Sequence, residues 1–313
     1  MEVITDPASC PRPPGGAVVT IGVYDGVHLG HRALIGRVRA MANELGASSA
    51  VVTFDRHPAT VVRPDSAPLL LTDLAQRIEL LAETGVDYTL VIRFDRERAN
   101  ESAEEFVREI LVGCLGARAV VVGHDFHFGR DRGGSVPMLQ EMGAELGFDV
   151  LGINLVADDA DREVVSSTRI RALLADGDVA GAAVLLGRPH EVRGTVHHGD
   201  ERGRDLGFPT ANVAVPADVL LPADGIYAGW FERRDGTVHP SAMSLGRRPT
   251  FYEDAELSLL ECYLLDFEGD LYGQPAKVRF VQRLRGEVKF DSVDALVAQM
   301  ARDVDEARGL LRT

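Results

Sequence analysis

Cysteine is scarce: Cys10, Cys114 and Cys262 are the only three in 313 residues. They are scattered, odd in number and without metal-ligand spacing. This argues against a disulfide framework or a zinc site and predicts three reduced bystanders. Positive charge is also in deficit, with 33 Lys and Arg against 48 Asp and Glu and a formal net charge of −15. Binding a nucleic-acid backbone needs a basic footprint, so nucleic acid is not an expected partner. Long apolar runs are missing too. None approaches the ~20 residues that span a bilayer, and Met1 to Gly16 is polar and proline-rich without a signal-peptide core. These absences predict a cytoplasmic protein with no membrane partner. Any anionic ligand must be met by local arginines, backbone N–H groups and a divalent cation. A homo-oligomer stays compatible with the sequence.

What is present suffices for two hydrophobic cores, with 45% hydrophobic and 26% charged residues over 313 positions. Val18 to Val23 reads as a buried strand and Tyr24-Asp25-Gly26 as a turn. A helix follows from about Gly30 to Leu45, with Leu34, Ile35, Val38, Met41 and Leu45 at helical spacing. His28 and His31 flank Leu29-Gly30 where a helix N-terminus offers free N–H groups to an anion, and glycine at 30 leaves the backbone open to a phosphate. Further strands are predicted at Ser49 to Phe54, Asp87 to Phe94, Ala119 to Gly123 and Val150 to Val156. Helices alternate with them: Thr72 to Thr84 with Leu74, Ile78 and Leu81 inward, one opened by the capping box Ser102 to Glu105, and Ser135 to Leu146.

This alternation predicts a doubly wound, mostly parallel sheet with ligands at the carboxyl ends of its strands. The loops expected there carry chemistry. Asp55-Arg56-His57-Pro58 follows the second strand. Gly123 to Gly134 gathers Asp125, Phe126, Phe128, Arg130 and Arg132, whose aromatic and guanidinium faces suit a planar heterocycle and its phosphate. Ser166-Ser167-Thr168 opens a helix through Leu174, so its hydroxyls and Arg171 can converge on phosphate oxygens.

Gly187-Arg188-Pro189 breaks the short helix Val179 to Leu186, predicting domains 1–186 and 187–313. Beyond it the pattern shifts to strands at Val192 to Val196, Ala211 to Val215, Gly225 to Phe231, Leu257 to Phe267 and Val278 to Leu284. The last helix begins after Asp291-Ser292, with Val293, Leu296, Val297, Met300 and Val304 in one stripe. A small antiparallel β-barrel with a C-terminal helix is expected. Thr210 and Asn212, two apart on an extended chain, share a face and can meet a cation and phosphates together. Glu261 sits amid apolar residues, where an unpaired carboxylate is costly.

The stretch from Gly22 to His31, Gly-Val-Tyr-Asp-Gly-Val-His-Leu-Gly-His, resembles the first motif of the prokaryotic bifunctional riboflavin kinase/FMN adenylyltransferases. The segments Gly123 to Gly129, Val165 to Arg171, Gly207-Phe-Pro-Thr-Ala-Asn212, and Leu284-Arg285 with Lys289-Phe290 resemble later motifs in the family's order. The resemblance implies a Rossmann-like nucleotidyltransferase domain followed by a riboflavin kinase barrel. Riboflavin would be phosphorylated to FMN, and FMN adenylylated to FAD, both from ATP with Mg²⁺. In the first domain it implies catalysis by His28 and His31, ATP binding by Gly22, Asp25, Gly30, Ser167, Thr168 and Arg171, and FMN binding by His57, Asp125, Phe126 and Phe128. In the second it implies Glu261 as base, Gly207, Pro209, Thr210, Asn212 and Arg285 around ATP, metal and flavin, and Thr210 and Asn212 on the metal. Two departures stand out: Ser244 where the family usually has asparagine, and Asp55-Arg56 where it has Glu-Pro.

Overall fold

The protein, seen in a computed structural model, is described over residues 1–7, 10, 12–153, 165–198, 203, 206–246 and 259–311. It forms two compact units, Met1–Ser166 and Ser167–Thr313.

The first unit is built on β1 (Glu2–Ile4), β2 (Ala17–Ile21), β3 (Ser48–Phe54), β4 (Tyr88–Ile92), β5 (Ala117–Gly123) and β6 (Asp149–Ile153). They pair in parallel in the order β1-β4-β3-β2-β5-β6. Strand residues alternate between two cores, as a sheet covered on both faces requires. Val18 of β2 joins the core of α1 (Leu29–Leu45) and α2 (Leu74–Glu83), while Ala17, Val19 and Ile21 join the other. That second core takes α3 (Ala103–Phe106, widening into a π-helical stretch Val107–Cys114) and α4 (Val136–Leu146). The predicted capping box at Ser102 and Glu105 is present. The chain builds outward from β2 through β3 to β4, then returns to lay β5 on the other side of β2. The reversal places a topological switch point at the carboxyl ends of β2 and β5, where such sheets bind ligands.

Three expectations are corrected here. The first strand, β1, was not anticipated in the polar N-terminus. The buried face of α2 is Gln76, Arg77, Leu80 and Leu81, whereas Leu74 and Ile78 are only partly covered. Arg77 turns that face inward by donating from Nη1 to the carbonyls of Val23 (3.1 Å) and Phe54 (2.9 Å). Finally, Cys10 and Cys114 are not reduced bystanders but form a disulfide, with Cα atoms 5.3 Å apart. The two are 104 positions apart in sequence, so spacing gave no hint; folding brings Cys10 against the core that holds Cys114. Cys262 is free and buried.

The second unit opens with α5 (Ser167–Ala175) and α6 (Val179–Leu186), then β7 (His190–His197), β8 (Ala211–Ala214), β9 (Gly225–Glu232), β10 (Val238–Gly246), β11 (Leu259–Leu264) and β12 (Pro275–Arg285). These six strands close a barrel in the order β10-β11-β8-β7-β12-β9, antiparallel at the described pairings. Strand β10 was missed because Pro240 and its polar neighbours obscure the alternation. Among the helices, α5 and α6 pack with the barrel, burying Ile170, Leu174, Val179, Ala182 and Leu186. The compact unit therefore begins about one helix pair before the break at Gly187. The C-terminal α7 (Val293–Leu310), capped by Ser292, lays Val304 and Ala307 on Ala228, Ala242 and Tyr263 outside the barrel.

Candidate active site

The switch point of the first unit carries, just after β2, a turn that the chain holds under strain. Tyr24 (φ 52°), Gly26 (φ 83°) and Val27 (φ 38°) all adopt left-handed backbone conformations. For a bulky aromatic and a β-branched residue this costs about 1–3 kcal/mol each and persists only where neighbours enforce it. Here they do. The Tyr24 hydroxyl is 2.7 Å from Thr20 Oγ1, and burial pushes its phenol pKa up. Asp25, 2% exposed, accepts from the N–H groups of Leu71 (3.0 Å) and Thr72 (3.1 Å), and Gly26 N–H donates to Thr72 Oγ1. Asp25 thus fastens the turn to the residues before α2.

The strained turn delivers His28 as the N-cap of α1, its Nδ1 accepting from the His31 N–H (3.3 Å). The two imidazoles stack at 3.6 Å, and Tyr24 meets His31 edge-on. Burial, followed by His28 and Arg77, holds the His31 pKa well below the ordinary imidazole value, so the ring is neutral at physiological pH. Its Nδ1 is buried without a hydrogen-bond partner among the described residues. At Gly30 a Cβ would lie 3.3 Å from the His28 ring and from the Val165 carbonyl, a tight approach that glycine avoids. The chain leading into Ser166 therefore runs beside the histidine turn.

Arg77 is the site residue that sequence reasoning missed. It is fully buried, and its Nε and Nη2 have no hydrogen-bond partner among the described residues. Burial lowers its pKa, opposed by Asp25, Asp73 and Asp55. Its Nη1 joins Val23, just after β2, to Phe54, the last residue of β3, from which the His28 and His57 loops continue. The available signal was an arginine inside the apolar stripe of a helix.

The remaining first-unit positions lie on the neighbouring loops. His57 Nδ1 accepts from the Ala59 N–H (3.1 Å), closing the turn after β3. Asp125 is exposed after β5, and its carbonyl lies 2.8 Å from His127 Nδ1. Phe126 and Phe128 stack at 5.5 Å and pack against the core of α3 and α4, their side chains partly exposed. Gly22 ends β2 under the Tyr24 ring, which lies 3.1 Å from where a Cβ would stand.

In the second unit, Ser167 and Arg171 are one turn apart on α5, both partly exposed, while Ile170 and Leu174 are buried. Thr168 is exposed beside them. In the barrel, strand register does the assembling. Cross-strand partners run Asn212 to Glu261, Glu261 to Ser244, Ser244 to Ile226 and Ile226 to Arg285, one row across five strands. The residues between them, Val213, Leu260, Cys262, Met243, Leu245 and Tyr227, are 0–3% exposed and fill the interior. The row therefore faces outward. Glu261 is partly exposed on that face, contrary to its expected burial.

The loop before β8 closes when Phe208 N–H donates to the Gly203 carbonyl (2.8 Å) across Gly207 (φ 85°), a conformation that favours glycine. A pocket of about 570 Å³ follows, lined by Pro209, Thr210 and Asn212 with Phe267, Asp270 and Tyr272 among others. Glu261 adjoins it as the partner of Asn212, whereas Gly207 and Arg285 are not in its lining. Arg285 is held by Asp303 of α7 through Nε (3.0 Å) and Nη2 (2.7 Å). The Arg248-Pro-Thr-Phe251 motif and most of the loop at 199–205 lie outside the described residues.

Two family models match the chain, one described as FAD synthetase over residues 10–169 and one as riboflavin kinase over residues 186–311. A bifunctional riboflavin kinase/FMN adenylyltransferase of Escherichia coli strain K12 is 40% identical over 296 residues, covering 95% of this chain and 93% of that protein. Its namesake in Pseudomonas fluorescens is 42% identical over 295 residues, covering 94% and 93%. A crystal structure from Streptococcus pneumoniae, described as a macrolide-efflux protein, is similar with a TM-score of 0.85 at 30% identity over 98% of both chains. Among the described residues here, no helix is long and apolar enough to cross a membrane. By both family models and by identity along nearly its whole length, the chain belongs to the bifunctional riboflavin kinase/FMN adenylyltransferase family.

Proposed function

We propose that the chain performs two consecutive ATP-dependent steps on one flavin, in the cytoplasm, with the catalytic division following residues 1–186 and 187–313. The second half phosphorylates riboflavin. Glu261 takes the proton of the ribityl 5′-hydroxyl as that oxygen bonds to the γ-phosphorus of ATP, and the bond to ADP breaks. The outward row of Asn212, Glu261 and Ser244 beside the Thr210 pocket carries this reading, because it sets a base next to a nucleotide-sized cavity.

The first half adenylylates FMN. An oxygen of the FMN phosphate bonds to the α-phosphorus of a second ATP, and pyrophosphate leaves. Catalysis here is positioning and charge stabilisation. Neutral His31 and stacked His28 donate to oxygens around the α-phosphorus, with Gly22, Asp25 and Gly30 shaping the turn. Ser167, Thr168 and Arg171 hold the departing pyrophosphate. His57, Asp125, Phe126 and Phe128 receive FMN on the loops after β3 and β5.

Mg²⁺ fits the second site by donor chemistry. Thr210 and Asn212 offer hard oxygens in a pocket that also contains the carboxylates of Glu268 and Asp270. Thr210 and Asn212 would hold the ion, which supplies charge neutralisation at the nucleotide phosphates. Gly207, Pro209 and Arg285 shape the surrounding loop and flavin side.

Incubating the protein with riboflavin, ATP and Mg²⁺ and resolving flavins by chromatography tests the reading. FMN is expected first and FAD after it. FMN that accumulates without FAD removes the adenylyltransferase half, and unreacted riboflavin removes the kinase half.

A further inference from the structure

The helix α5, whose Ser167, Thr168 and Arg171 are proposed to serve adenylyl transfer, is tied at its C-terminal end to the barrel by several bonds, one of them from an arginine of β12. Arg283 reaches in two directions. Its Nη1 donates to the Asp176 carbonyl (3.2 Å), just past the end of α5, and its Nη2 donates to the Asp224 carbonyl (2.6 Å), just before β9. Two glycines make room for it. At Gly177 (φ 80°) a Cβ would stand 2.7 Å from Arg283 Nη1, and at Gly225 a Cβ would stand 2.9 Å from Arg283 Nε. Alongside, the Ala223 N–H donates to the Leu174 carbonyl of α5 (2.9 Å), and the Tyr227 hydroxyl donates to the Ala223 carbonyl. The last turn of α5 is therefore bonded to the segment that starts β9, and Arg283 closes the bracket from β12.

From this geometry we infer that Arg283 is a positioning residue for adenylyl transfer: the kinase barrel is the mount that holds the triphosphate-binding face of α5. The inference rests on the role proposed above for Ser167, Thr168 and Arg171. A guanidinium that joins two carbonyls on separate elements fixes both their distance and their direction. A helix of nine residues has little stability of its own, so its placement depends on such tertiary bonds. Arg283 itself needs no contact with nucleotide.

The test measures both reactions separately on the full chain, riboflavin to FMN and FMN to FAD, in Arg283→Met, Arg283→Lys, Gly177→Ala and Arg171→Ala. Displacing α5 weakens the hold on ATP in one reaction only, so Arg283→Met is expected to raise the ATP KM of FAD formation about tenfold. FMN formation should stay within about twofold, because Arg283 bonds only the carbonyls of Asp176 and Asp224, while Arg285, the neighbouring member of the row that carries Glu261, is held separately by Asp303. Arg283→Lys, which can reach only one carbonyl at a time, should fall between wild type and Arg283→Met. Gly177→Ala reaches the same clamp from the other side and serves where Arg283→Met does not fold. Unchanged ATP KM for FAD formation in both clamp variants, with Arg171→Ala impaired, overturns the inference and leaves the role of α5 standing. Equal loss of both reactions in folded clamp variants also overturns it. If Arg171→Ala forms FAD normally, the assigned role of α5 fails, and the inference with it.

Discussion

The histidine turn of the first unit and the glutamate row of the barrel, each proposed to act on a phosphate, are built by opposite structural means. The turn is irregular, buried and strained: Tyr24, Gly26 and Val27 are left-handed, and Asp25, Thr72 and Arg77 hold it from below. The row is regular and partly exposed, and its members meet because antiparallel register puts Asn212, Glu261 and Ser244 opposite one another. Precision in the first comes from buried polar anchors that cannot be lost singly. In the second it comes from the ladder, which tolerates side-chain change without moving its neighbours.

The largest expected contrast is functional. His31→Ala should lower FAD formation from FMN by roughly 10²–10³-fold and leave FMN formation intact, as expected for removing one preorganised donor. Glu261→Ala should lower FMN formation by roughly 10²–10⁴-fold and spare FAD formation from supplied FMN. Both are read by separate initial rates.

The next effect is structural. Arg77→Met frees the carbonyls of Val23 and Phe54, so the first unit should lose about 1–3 kcal/mol for each in urea unfolding. The turn should also be sensitive to acid. Folded His31, faced by His28, Tyr24 and Arg77, refuses a proton that the unfolded chain accepts below about pH 6.5. The unfolded state then binds more protons, so stability of the first unit falls as pH drops through that value, by at most about 1.4 kcal/mol per pH unit. Urea titrations from pH 7.5 to 5.5 should show a shallower slope in His31→Gln. The smallest effect concerns the row's own variation. Ser244→Asn adds one hydrogen-bonding group beside Glu261 and should change the riboflavin KM by about two- to tenfold, the equivalent of ~0.5–1.5 kcal/mol.

Most of the architecture was legible because hydrophobic period reports which faces are buried, and the parallel sheet, the barrel and the last helix all follow from it. What period cannot report is where a polar group goes when it is buried for a reason. Arg77 occupies an apolar face, so the stripe of α2 was set one step off. Glu261 looked buried by its neighbours, yet alternation sent Leu260 and Cys262 inward and Glu261 outward. The disulfide joins residues whose proximity exists only in three dimensions. Motif strings named the candidate residues, but the bonds that position them, Asp25 to Leu71 and Asp303 to Arg285, join different elements and are not written in the strings.

The independence of the two sites is tested most directly by mixing. Purified His31→Ala and Glu261→Ala proteins, each folded, are incubated together with riboflavin, ATP and Mg²⁺. The mixture should form FAD, since one variant supplies FMN and the other adenylylates it, while neither alone converts riboflavin to FAD at an appreciable rate. A mixture that stops at FMN, or that leaves riboflavin unchanged, would contradict two separate, self-sufficient sites.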